Sequence, residues 1–370
     1  MKMHLFTNRI IAIFALSLAS ALIVMPAEAS QYENLFWEQY GHRAVAAKLA
    51  NGKNLQSITL KGFQDGMLMT EMLIDGTVAA MGMPANDMLV RQLRIPMSEM
   101  RAVQTLLREK AFSKALHKLR PQAYPLIAYH KLPISFKVIH QPNFMLLQAL
   151  IDDQLLQEAH DLIRRISLAE APLHYCSIAL ELVHRQIRAG MYDQASELIS
   201  SLPLEDAYAS NVSRSVVAIH KMRDAQQFEL AIPLYESIEG KLKGIQLQSI
   251  QLWISYCLAN TGEKEASEKL LDKLKVKDKK DKNFPLYQLV NGSIAHQAKQ
   301  YNEALDLLSK GFVYSQSSDE WVPEMLYTMG DCYLKTGNRM GAQNVWLEIT
   351  QLYKNTPWFS RAQYALNKNK

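Results

Sequence analysis

The chain has 370 residues, of which 48% are hydrophobic and 21% charged. That is enough apolar material to bury a core, so disorder is excluded as the default state. A formal charge of +5 over this length is too mild to indicate a nucleic-acid partner.

The first residues, MKMHLFTNRI, are basic, and a largely apolar stretch from Ile10 to Met25 follows. Pro26 and the small-x-small ending Ala27-Glu28-Ala29 complete the form of a secretory signal peptide, with cleavage expected before Ser30. An uncleaved anchor is the alternative. No cysteine follows the apolar centre, which argues against a lipoprotein anchor, and no second stretch reaches the ~20 apolar residues of a membrane span. The expected location is therefore periplasmic or secreted.

Ser30 to Ala50 reads as a helix, with Leu35, Phe36, Tyr40, Val45 and Leu49 sharing a broad face and Asn51-Gly52 ending it. The rhythm then changes. Short apolar runs at Gln56 to Leu60, Met67 to Ile74, Thr77 to Met81 and Met88 to Leu93 are separated by Asp65-Gly66, Asp75-Gly76 and the stretch Pro84 to Asp87. Asp-Gly between apolar runs signals a hairpin, because the turn needs positive φ. Residues 30–95 are thus expected to form a helix and a small antiparallel β module, barrel-like with four strands. The module resembles the Sm or SH3 type of small barrel.

From Pro96 onward strand signals stop. Small residues recur at Ala115, Ala159, Ala195, Ala231, Ala266, Ala304 and Ala342, at steps of 35 to 38 residues after a first step of 44. Four residues after each stands a large one: Leu119, Ile163, Ile199, Tyr235, Leu270, Leu308 and Trp346. Three residues before stand Phe112, Leu156, Tyr192, Phe228 and Tyr301 in five of the units. The last unit is the clearest. Leu326, Met329, Gly330 and Tyr333 line one face of a first helix, Gly337-Asn338 stops it, and Ala342, Trp346 and Ile349 line a second.

This helix, turn, helix unit resembles the tetratricopeptide repeat, whose period is about 34 residues. One such pair cannot cover its own apolar stripe, but stacked pairs can. The expected fold is mainly α: an α-solenoid of about seven tetratricopeptide-like helix pairs over 96–366, preceded by the β module. Pro121, Pro125, Pro133 and Pro142 place a loop or break near 121–142. A closing helix is expected over Phe359 to Leu366.

Cys176, Cys257 and Cys332 are few, odd in number and each in a first helix, so they read as buried thiols, with one disulfide as the alternative. Signatures of phosphate-binding loops, dinucleotide folds, serine hydrolases and zinc proteases are absent. His174 and Cys176 have no second ligand cluster to complete a metal site. Asp152-Asp153 reads as a turn rather than an acid/base pair. The lysine-rich run from Lys273 to Lys282 reads as a solvated loop, since it lacks interleaved aromatics. No cofactor or metal is expected.

The resemblance implies a concave groove lined by the second, fifth, ninth and twelfth positions of each repeat. On this chain those positions include His184, His220, Arg223, Gln251, Ser255, His296, Tyr327 and Asp331, with Leu180, Val216, Leu286 and Leu289 among them. A surface so mixed in charge suits an extended peptide or a helix better than a polyanion. The expected function is a non-catalytic scaffold for protein or peptide partners in cell-envelope assembly. The alternative is an envelope enzyme, or its accessory, acting on the cell wall within a solenoid frame. That reading needs a catalytic module, and residues 51–95 offer only Asp65, Glu71, Asp75 and Asp87.

Overall fold

The structure is a computed structural model and describes residues 35–369 other than 275 and 277. The signal peptide expected at residues 1–29 lies outside the described residues.

The hairpins form where Asp-Gly allows them. Asp65 and Gly66 have φ of +50° and +75°, and Asp75 and Gly76 have +50° and +82°. Two positive φ values in succession give a turn whose twist matches the strands it joins. These turns connect β2 (Asn54–Gln64), β3 (Met67–Ile74) and β4 (Thr77–Pro84), all antiparallel. A strand not expected from the sequence, β1 (Val45–Asn51), pairs with β2, and β5 (Leu93–Arg94) pairs with β1. The result is a five-stranded sheet in the order β4-β3-β2-β1-β5.

Two expectations are corrected here. The helix read over 30–50 is only a short π turn at Trp37–Gly41 among the described residues, and its second half is β1. Val45 and Ala47 are buried while Ala46 and Lys48 are exposed, so burial with a period of two overrides the helical spacing of the apolar residues. The run Met88 to Leu93 is mainly a helix, α1 (Asp87–Gln92). Its start is fixed by Asn86, whose side-chain oxygen accepts the Leu89 N–H at 3.1 Å.

Beyond the sheet the described chain is helical. The helices come in pairs: α2 (Met100–Arg108) with α3 (Phe112–Ala123), α4 (Lys137–Asp152) with α5 (Leu156–Arg164), and α6 (Leu173–Arg188) with α7 (Tyr192–Ser201). Then come α8 (Ala209–Asp224) with α9 (Phe228–Glu239), and α10 (Gly244–Asn260) with α11 (Lys264–Leu274). The last are α12 (Phe284–Gln297) with α13 (Tyr301–Tyr314), and α14 (Val322–Lys335) with α15 (Arg339–Leu352). A final helix, α16 (Pro357–Lys368), includes the expected closing segment and packs on α14 and α15.

Every pair turns in the same way. The first helix ends in a left-handed residue, in order Lys110, Gln154, Gly190, Gln226, Gly262, Lys299 and Gly337. The next N–H then bonds the carbonyl five residues back, from Ala111 to Leu106 through Asn338 to Tyr333, at 2.8–3.0 Å. This closure satisfies end carbonyls of the first helix and reverses the chain at once.

Five residues after each left-handed residue stands a small side chain with no exposure: Ala115, Ala159, Ala195, Ala231, Ser267, Ala304 and Ala342. The fifth unit corrects the sequence alignment by one residue, since Ala266 is exposed and Ser267 takes the packed position. Serine is small enough for the close approach, and its hydroxyl is satisfied by the facing helix. Ser267 Oγ donates to the Ser255 carbonyl at 2.8 Å. The large residue four further on is accordingly Leu271, buried like Leu119, Ile163, Ile199, Tyr235, Leu308 and Trp346.

The proline expectation is corrected as well. Pro121 lies inside α3 and Pro142 inside α4. Each removes one backbone donor, yet buried residues throughout both helices hold them in place. A 3-10 segment, Tyr124–Tyr129, does interrupt the helices between pairs one and two. The two pairs are nonetheless tied together. Arg120 donates to both oxygens of Glu158 at 2.8 and 2.7 Å, and Tyr124 donates to the same carboxylate at 2.7 Å.

Neighbouring pairs meet through like helices: α4 touches α6 and α6 touches α8, while α10 touches α12 and α12 touches α14. One apolar core runs from Val103 to Cys332. The sheet is not a separate body, because Leu126, Tyr129, Leu132, Phe136 and Ile139 complete its core. All three cysteines are buried and free.

Two substitutions test this packing. A Cβ at Gly330 would overlap the Trp346 indole, so Gly330→Ala should lower stability by about 1–3 kcal/mol in urea unfolding. Lys299 occupies left-handed space with φ of +60°, so Lys299→Gly should raise stability by about 1 kcal/mol in the same assay.

Candidate functional site

The residue types that could carry function converge where α8, α9, α10 and α14 meet. Arg223, near the end of α8, is only 2% exposed. Its guanidinium lies over the Trp253 ring of α10 at 3.4 Å from the centroid. It donates to Asp224 Oδ1 through Nε at 3.1 Å and Nη2 at 2.6 Å, and Nη1 stands 3.7 Å from Glu320. A charge this deep costs several kcal/mol unless paired, and here carboxylates surround it. Burial works against its charged form, but Tyr235, Asp224, Glu320 and Glu324 outweigh it and push the pKa up.

His220 lies one turn before Arg223. The Tyr235 hydroxyl is 2.6 Å from its Nδ1, and Nε2 is 3.4 Å from Glu320. Burial, and then the charge of Arg223, pushes its pKa well down, so the ring is neutral. The hydrogen bonds then require Tyr235 to donate to Nδ1 and Nε2–H to face Glu320.

Glu324, in the first turn of α14, is 4% exposed and accepts a short hydrogen bond from the Tyr256 hydroxyl of α10. Burial lifts its pKa to about 7, against Arg223 and the Tyr256 bond, which hold it down. Arg361 of α16 closes the cluster by donating to the Asp224 carbonyl at 3.0 Å. Residues from the fourth, fifth and seventh pairs and the final helix are thus locked together.

Beside His220 opens a cavity of about 280 Å³. Ser213, Val216 and His220 of α8, Ile245 and Ser249 of α10, Asn283 before α12 and Trp321 before α14 are among its walls. Every one comes from a first helix of a pair or from the residue leading into one. The lining is apolar with a few hydroxyl, amide and imidazole groups, the mixture that binding pockets commonly show.

The eight expected groove residues fall into different settings. His220 and Arg223 belong to the buried cluster. His296 and Asp331 pair across α12 and α14, Nε2 to Oδ2 at 2.7 Å, and that bond holds the carboxyl below its ordinary range. Gln251 donates to Glu239 at 2.5 Å. The Tyr327 ring is 5.3 Å from Trp358 and 6.4 Å from Trp346, which turns it toward the final helix. His184 is half-buried, its Nδ1 has no hydrogen-bond partner, and burial with nearby Lys221, Arg188 and Arg214 pushes its pKa down to about 4.

Ser255 is corrected. It is fully buried, with its hydroxyl 2.8 Å from that of Ser267, and so belongs to the close packing of α10 on α11.

Sequence reasoning missed Asp224, Trp253, Tyr256, Glu320 and Arg361. No short-range signal marks them, because the contact from Arg361 to Asp224 spans 137 residues. The thiol of Cys257 beside the cluster is pushed up to about 12 by burial, which keeps it protonated and unreactive. Among the described residues, no three His, Cys, Asp or Glu side chains are grouped to hold a metal. No helix among them is long and apolar enough to cross a membrane.

A scan against protein-family models finds no match to this chain, and a search of curated proteins also finds none.

Glu324 makes stability depend on pH. Its pKa is raised from 4.5 to about 7 on folding, so its contribution is full below 4.5 and is lost as pH rises through 7. Glu324→Gln keeps an acceptor for Tyr256 without the charge. Urea midpoints should show the variant gaining on the wild type at pH 8, with the gap narrowing at pH 5.

Proposed function

We propose that the chain is a non-catalytic exported scaffold, an α-solenoid of tetratricopeptide-like helix pairs that holds a protein or peptide partner of the cell envelope in a concave groove. The observation that carries this reading is the cavity beside His220, walled by first helices of successive pairs. In a stack of like pairs those helices share one face, and a partner lying along it meets residues from several repeats. The sevenfold repetition of one turn and one packed small residue supports the stack. The signal-like N-terminus supports export to the periplasm or the medium. Residues 1–29 are read as that signal, 30–95 as the N-terminal module and 96–366 as the repeat region.

Within the groove, Val216, Ile245 and Trp321 supply apolar contact and Ser213 and Ser249 supply hydroxyl groups, while the buried Asn283 fixes the wall by donating to the Ile245 carbonyl and to Gln248. The buried cluster below is structural in this reading: it fixes how pairs four to seven sit and so shapes the groove. His296 and Asp331 extend the polar part of the same face.

Ile245 is half exposed at the cavity, so Ile245→Glu should leave helical circular dichroism unchanged and reduce partner capture at least about tenfold in pull-downs from envelope extract. Capture of the same partner at wild-type level would sink the groove. Export is tested separately by intact mass: the protein recovered from the envelope fraction should begin at Ser30.

A further inference from the structure

The sheet has two edges, and they are protected differently. β5 is two residues long, and Pro96 follows it after Ile95. β4 runs for eight residues, TVAAMGMP, with no charge and no proline before its last position. Its pairing with β3 is regular, so no bulge turns the edge away. Long, flat, uncharged edges are what folded proteins ordinarily avoid, because the free N–H and C=O groups are a template for another strand.

The register shows which groups are free. The two-residue turn closes on the pair Ile74 and Thr77, and pairs alternate from there. Thr77, Ala79, Met81 and Met83 therefore turn their backbone groups to β3. Val78, Ala80 and Gly82 turn theirs outward, and no other segment of the described chain bonds to them. Beside this edge Val78 is 63% exposed and Leu73, its partner on β3, 69%, while Glu71, the β3 partner of Ala80, is held in an ion pair with Lys61 of β2.

We propose that β4 is a dimerisation edge that pairs antiparallel with β4 of a second copy of this chain. The occupant is a second copy because the strand complements itself. Placed about a two-fold axis normal to the sheet and centred on Ala80, the pairing sets Val78 against Gly82 and Ala79 against Met81. Large residues then meet small ones on both faces, and the outward backbone groups of Val78, Ala80 and Gly82 meet their own kind in hydrogen-bonded register. β4 itself carries no charge and Glu71 beside it is already paired with Lys61, so a charged partner strand gains little here, whereas a neutral copy meets no repulsion. The interface is isologous, so it closes at two chains instead of growing into a fibre.

Sedimentation of the purified full chain at micromolar concentration tests this. The wild type should be a dimer. Ala80→Lys and Ala80→Asp each set like charges face to face across the axis, and each should weaken the dimer by at least about tenfold. Mixed together, the two variants should restore it, since Lys then faces Asp. Circular dichroism and thermal melting matching the wild type establish that each variant is folded. Ala80→Pro, which removes only an outward N–H, is a second route to the same loss if a charged variant misfolds. A wild-type monomer, a dimer indifferent to these changes, or an edge occupied only by a different protein would overturn the proposal.

Discussion

One constraint shapes the helical part of this protein: each pair must reverse in a single left-handed residue and then let two helices approach at a side chain no larger than serine. The closure at Lys110, Gln154, Gly190, Gln226, Gly262, Lys299 and Gly337 fixes where the second helix starts. The buried residue five positions later fixes how close the helices lie. With turn and spacing set together, the large residue four positions on has one place to go, the core shared with the neighbouring pair. The geometry is thus repeated without repetition of the sequence. Glycine fills the left-handed position in three pairs and lysine or glutamine fills it in four, each of the latter at a cost of about 1 kcal/mol that the packing offsets.

The buried charge cluster follows from the way these pairs accumulate. His220, Arg223 and Asp224 stand on α8 and Glu320 and Glu324 far along the chain at the start of α14, and Arg223 and Glu324 are buried together because Trp253 and Tyr256 of α10 bridge the two helices. A lone guanidinium at that depth would be untenable. With Asp224 and Glu320 bound to it and Trp253 beneath it, it becomes a fixed joint. Removing one partner of such a joint leaves a buried charge uncompensated and costs about 3–5 kcal/mol. The same arrangement also forms the cavity beside His220.

The N-terminal sheet shares an apolar core with Leu126, Tyr129, Leu132, Phe136 and Ile139, and its two edges are the short β5 and the longer β4. One face of the sheet is covered by these apolar residues. The β4 edge retains the unpaired backbone groups of Val78, Ala80 and Gly82 on an uncharged strand.

Much of this was legible in the chain itself. Asp-Gly at 65–66 and 75–76 marked the hairpins, and the recurring small and large residues marked the helix pairs, because both signals rest on interactions within a few residues. Even there Ala266 was chosen over Ser267, since alanine and serine are equally small and only burial separates them. The strand at Val45–Asn51 was hidden because its apolar residues also satisfy a helical face, and pairing with β2 decided between the two. The expected site residues were placed by analogy of position. The structure brought His220 to Glu320 and His296 to Asp331, and drew Ser255 into the interior. The sequence by itself determined where helices pair, turn and approach, which are local matters of backbone conformation and side-chain size. Only the tertiary structure decided which charged groups are buried together and which strand edge stays open. Those depend on segments as far apart as Asp224 and Arg361, whose meeting no local spacing encodes.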